Sequence, residues 1–123
     1  MQTHLHLIYD QLDLLMSFLV ESTGTLFAKP HALNNWQYDD LQALAAEVDC
    51  AAERYLTAPQ RLQDGYSLVE VGDDLLTPLQ DILERSSALL YDDTLPALCS
   101  QRLRRINDTS YDMFNIVNEL FDL

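Results

Sequence analysis

Positive charge is what this chain has least of. Seven Lys and Arg residues stand against twenty Asp and Glu, for a formal net charge of −13 and a pI near 4.2. Direct binding of nucleic acid takes a basic stripe that displaces counterions from phosphates, and no stripe of useful size is present. Docking onto an anionic membrane surface is disfavoured on the same ground. Glycine is rare, at three residues, and proline scarce, at four, which excludes an architecture built on many tight turns. The two cysteines, Cys50 and Cys99, make no disulfide framework. They read as free, buried thiols of a reducing compartment, with a Cys50–Cys99 bridge as the alternative. The apolar stretch at 14–20 follows Asp10 and Asp13 and is far too short to span a bilayer. The opening segment MQTHLHLIYDQLD has no basic leader region and carries acids early, unlike a secretory signal. A cytoplasmic protein is the expectation.

What is abundant is apolar side chain, 48% of 123 residues, enough for one domain with an ordinary core. Helical periodicity organises it. Over 4–22, Leu5, Ile8, Leu12, Leu15 and Leu19 alternate three and four apart, the spacing of one helix face. Leu7, Leu14 and Phe18 form a second row, Tyr9, Met16 and Val20 lie beyond it, and only Asp10, Asp13, Ser17 and Glu21 make a polar strip. A helix so widely apolar is covered on more than one side. That makes it either central in a bundle or buried by a second copy, with the Leu5–Leu19 row as the dimer interface.

Residues 23–37 read as a loop, because Thr23-Gly24-Thr25, Lys29-Pro30 and Asn34-Asn35 all discourage helix. Leu26, Phe27, Leu33 and Trp36 then either fold back onto the bundle or leave an aromatic patch, Phe27 and Trp36, for a partner. A second helix is expected over 40–57, capped by Asp39 with Gln42 three residues on. Leu41, Leu44, Val48, Ala51, Ala52 and Tyr55 line its buried face. Residues 58–73 carry Pro59, Gly65 and Gly72 and read as a break. Thr77, Pro78 and Gln80 match the cap, first and third positions of a third helix that ends near Tyr91. Thr94 and Pro96 open a fourth. Its row Leu95, Cys99, Leu103, Ile106, Ser110, Met113, Val117 and Leu120 stays in register to the end, favouring one unbroken helix of about 27 residues and roughly 40 Å. Asn107-Asp108-Thr109 marks where a break would fall. A helix of that length overhangs shorter neighbours, a second hint of a homodimer. The fold class is all-α: a bundle of four to five helices of the up-and-down type, forming a single domain over 1–123.

Chemistry is hard to find in this pattern. A di-iron bundle needs Glu-x-x-His pairs, and none of His4, His6 and His31 follows such a Glu. His4 and His6 diverge on a helix, and His31 after Lys29-Pro30 does not resemble a phosphotransfer histidine. Helical Mg²⁺ hydrolases hold the ion with carboxylates one turn apart. Asp10/Asp13, Asp49/Glu53, Glu70/Asp73 and Asp81/Glu84 have roughly that spacing, as pairs in a chain with twenty acids will by chance. No glycine-rich phosphate loop exists, and cysteines in apolar, acid-rich surroundings are poor nucleophiles. No catalytic residue, metal ligand or cofactor is expected.

Two charge features remain. Arg102, Arg104 and Arg105 are three of the seven basic residues; they read as an ion-pair strip with Asp108, Asp112 or Asp92-Asp93, or as a contact for an acidic partner residue. The pairs Asp39-Asp40, Asp73-Asp74 and Asp92-Asp93 fall at expected helix starts, where they complement helix dipoles. Together they form a candidate surface for a basic protein partner. The leading expectation is therefore a non-catalytic regulator that inhibits or sequesters a protein. A DNA mimic competing for a basic groove is the second reading, and a carboxylate–Mg²⁺ hydrolase the third.

Overall fold

The structure, a computed structural model, describes residues 2–28 and 33–121, with side chains for 10–26 and 33–119. The described residues form four helices, α1 (Gln2–Ala28), α2 (Asn35–Gln63), α3 (Leu68–Leu90) and α4 (Ala97–Phe121). They make an all-α bundle in which α3 packs on α2 and α4, and α1 closes the ring against α4. Contact between α1 and α2 is the sparsest of the four seams. Depressions along that seam pair Leu12 with Pro59 at one end and Glu21 with Ala52 at the other, so the two helices run antiparallel.

Several helix starts and ends differ from the sequence expectation, α4 beginning at Ala97 rather than directly after Thr94, and three of them have a local physical reason in their hydrogen bonds. The α1 helix runs through Thr23-Gly24-Thr25 because both threonines bond within it: Thr23 Oγ1 donates to the Leu19 carbonyl at 2.8 Å and Thr25 Oγ1 to that of Ser22 at 2.9 Å. Asn34, not Asp39, caps α2. Its Oδ1 accepts from the Gln37 N–H at 2.9 Å, and Gln37 Oε1 accepts from the Asn34 N–H at 3.1 Å, a reciprocal capping box. Ser67, not Thr77, caps α3 in the same way with Glu70, both bonds at 3.1 Å.

The expected break over 58–73 shrinks to the four residues after Gln63, since Pro59 lies inside α2 and Gly72 inside α3. Gly65 makes the turn, at φ 101°. The Tyr66 N–H donates to the Arg61 carbonyl and the Gly65 N–H to that of Leu62, the paired bonds that close a helix on a left-handed glycine. The α4 helix is unbroken across Asn107-Asp108-Thr109.

The core runs the length of the bundle. Leu12 and Leu19 from α1, Leu41, Leu44 and Val48 from α2, Leu75, Leu79 and Ile82 from α3, and Leu103, Ile106 and Met113 from α4 are all buried. Each such side chain contributes roughly 1.5–3 kcal/mol by leaving water. Leu12 and Leu19, expected at a dimer interface, are thus packed inside one chain, and Leu15 packs half-buried against the same core. The side chains of Leu5 and Ile8 lie outside the described residues. The overhang argument for a second copy also lapses, because α1 at 27 residues and α2 at 29 are as long as α4 at 25.

Both cysteines are free. A bridge between them is precluded, because α2 and α4 lie diagonally with no Cα pair within 8 Å among the described residues and a disulfide needs less than about 7 Å. Burial pushes the Cys99 thiol up.

Candidate functional site

An apolar groove follows the sparse α1–α2 seam. Leu12 and Met16 of α1, Ala52 and Ala58 of α2 and Leu75 of α3 line its floor. Val20 and Leu56 stand on its flanks, and Leu56 is 75% exposed. The Tyr55 hydroxyl reaches across from α2 to donate to Asp13 Oδ1. That bond divides the groove into two lobes of about 240 and 460 Å³, each bordered by Asp13, Tyr55 and Leu56. Glu21 continues the acid edge on α1. On α2, Asp49 and Glu53 are exposed but do not line the groove. The groove therefore has a hydrocarbon floor and carboxylates along its α1 bank.

Small side chains explain why the seam opens here. Ala51, Ala52 and Ala58 present methyl groups where α3 and α4 interdigitate leucine, isoleucine and methionine. Pro59 removes one N–H from the helical ladder of α2 beside the narrower lobe.

The aspartate pairs do not gather into one surface. Asp39-Asp40 lies in the second turn of α2, near the α3–α4 link that holds Asp92-Asp93. Asp73-Asp74 lies in the second turn of α3, toward the other end, about 25 Å away at 1.5 Å per residue. Asp39, Asp73 and Asp93 are exposed. Asp74 is held by Arg54, 3.5 Å from its Oδ1, and by Arg61 on Oδ2.

Asp92 accepts from Gln37 Nε2 at 2.5 Å, from the Thr94 hydroxyl at 2.7 Å and from the Thr94 N–H at 3.0 Å. The Thr94 bond first, and then Gln37, hold its carboxyl below the usual range. Gln37 is itself buried, so it ties the start of α2 to the α3–α4 link. Trp36, beside it, is half exposed, as is Tyr38. The Phe27 side chain lies outside the described residues, as do His4, His6 and His31.

Of the carboxylate pairs with Mg²⁺ spacing, Glu70 is engaged in the Ser67 cap, Asp13 by Tyr55, and Glu84 by Gln80 Nε2 at 3.3 Å. Among the described residues no group of three or more His, Cys, Asp or Glu is placed to share a metal ion, and no helix is long and apolar enough to cross a membrane.

The arginine cluster borders a second depression, between α1 and α4, of about 390 Å³. None of the ion pairs expected for it with Asp92, Asp93, Asp108 or Asp112 forms.

Sequence reasoning did not find the α1–α2 groove. Its one advance signal is Leu56, an apolar residue off the Leu41–Tyr55 row of α2. Comparison with protein-family models, with curated proteins and with solved structures finds no match to this chain.

Proposed function

We propose that this chain is a non-catalytic, cytoplasmic regulator that binds a protein partner and inhibits or sequesters it. The observation that carries the reading is the α1–α2 groove, with its apolar floor and the Asp13 and Glu21 carboxylates along its α1 bank. A groove of that chemistry suits an amphipathic helix whose apolar face carries anchors one turn apart and whose margins are basic. Net charge of −13 steers such a partner in and rejects acidic competitors. Two free cysteines are in keeping with a reducing compartment.

The test is affinity capture from host lysate with three baits: wild type, Leu56→Asp in the groove, and Leu14→Asp on the outer face of α1. A stoichiometric partner held by wild type and Leu14→Asp but lost by Leu56→Asp, with unchanged melting of all three, supports the reading. Equal capture by all three baits rejects the groove. Partner loss at high salt and on adding duplex DNA, with no effect of Leu56→Asp, transfers the case to the aspartate surface and to mimicry of nucleic acid.

A further inference from the structure

The α1–α4 depression is the one place in the described molecule where arginines gather without forming an ion pair. Arg102, Arg104 and Arg105 border it with Gln101 from α4 and Ser22 and Thr25 from α1. The other arginines of the bundle's interior seams, Arg54 and Arg61, are both committed to Asp74. Among the described residues no carboxylate borders the depression. Arg102 is half-buried, and its Nε is fully buried with no acceptor. A guanidinium N–H withdrawn from water without an acceptor is costly, and in a chain with twenty acids an aspartate partner would have been the simple remedy.

We infer that this depression is a binding site for a phosphate-bearing small molecule, with the phosphoryl oxygens taken by the guanidinium forks of Arg102, Arg104 and Arg105. Planar forks match tetrahedral oxyanions with paired N–H···O bonds, and three cations suit a multiply charged phosphate better than a single carboxylate. The depression, at about 390 Å³, falls within the usual size of small-ligand sites. Leu98 supplies an apolar wall for the remainder of the ligand, and Gln101 and Ser22 supply neutral donors. The site lies on the opposite side of α1 from the α1–α2 groove, so this inference stands or falls independently of the proposed protein docking.

The experiment is an NMR titration of the arginine Nε–Hε signals with pyrophosphate, against sodium chloride and sodium acetate at equal ionic strength. It uses the wild-type chain, Arg105→Gln and Arg102→Lys. Arg105 is exposed, so its replacement leaves the fold intact, while Arg102→Lys keeps the charge and loses the fork. The expected result is a saturable shift of the Arg102 signal with pyrophosphate alone. Its midpoint rises at least fivefold in Arg105→Gln and at least tenfold, read on Arg104 and Arg105, in Arg102→Lys. A response to pyrophosphate no larger than to chloride or acetate, or a midpoint unmoved in Arg105→Gln, overturns the assignment.

Discussion

Arg54 of α2 donates to the main-chain carbonyl of Asp74 in α3 at 2.7 Å, and that carbonyl is the one Pro78 leaves without a helical donor. In an α-helix the N–H of residue 78 would serve the carbonyl of residue 74, and proline has none. A side chain from the neighbouring helix replaces the missing main-chain group, and the same guanidinium lies 3.5 Å from the Asp74 carboxylate.

The replacement makes Arg54 and Pro78 energetically coupled. Arg54→Leu is expected to lower stability by about 1–3 kcal/mol, since it strands the Asp74 carbonyl and removes one of the two guanidinium partners of its carboxylate. In a Pro78→Ala background the helix regains its own N–H, and the same change is expected to cost about 1 kcal/mol less. Urea unfolding of the four members of that cycle measures the coupling, and additivity within error removes it.

Asp92 gives the bundle a defined response to acid. Its carboxyl is held below the usual range by Thr94 and Gln37, so its folded form binds a proton less readily than its unfolded form. The stability it contributes is therefore fully present above the ordinary carboxylate pKa and is lost as pH falls through the lowered folded value. Asp92→Asn is expected to be less stable than wild type at pH 6. The gap should close as urea titrations descend below about pH 4, the ordinary range for aspartate.

Gly24 lies inside α1 with nothing within 4 Å of a Cβ built on it, and its φ is not positive. Gly24→Ala is expected to stabilise the chain by about 0.5–1 kcal/mol, the ordinary difference between the two residues in a helix interior. Thermal melting at constant pH reads it directly as a rise in Tm.

Two buried serines should behave oppositely. Ser86 Oγ donates to the Ile82 carbonyl at 2.7 Å and accepts from Asn107 Nδ2 at 2.8 Å, whereas Ser110 Oγ is buried with no partner. Ser86→Ala is expected to cost about 1–2 kcal/mol by depriving Asn107 of an acceptor. Ser110→Ala should be neutral or stabilising by up to about 1 kcal/mol, because it removes a buried hydroxyl that bonds nothing. Paired denaturant unfolding of the two variants separates the cases.

These relationships also explain what was legible in the sequence. The core rows of α2 and α4 were readable because they depend only on helical period: Leu41, Leu44, Val48 and Ala51 are buried, as are Cys99, Leu103, Ile106, Met113 and Val117. The start of α3 was not, because Thr77-Pro78 satisfies the rules for a first turn equally well. Arg54, 20 residues in sequence from the Asp74 carbonyl that it serves, makes Pro78 tolerable in mid-helix. The continuity of α4 through Asn107 rests on a comparable tertiary bond, the Asn107 amide shared among the Leu83 carbonyl and the hydroxyls of Ser86 and Ser87 on α3.

For the sites, the arginine cluster was visible in the sequence, but its depression and its lack of acid partners were not. The α1–α2 groove depends on how sparsely two helices meet, which no periodicity records.

Site-specific photocross-linking in the host cell reads whether a partner occupies the proposed α1–α2 docking groove. A photoreactive residue placed at Leu56 or Val20, both exposed on the groove's flanks, is expected to form one shared adduct that maps to a basic amphipathic helix. The same residue placed at Leu14, 72% exposed on the outer face of α1, is expected to form none. An adduct from Leu14 or from Trp36, with none from Leu56 and Val20, would exclude the groove as the docking site.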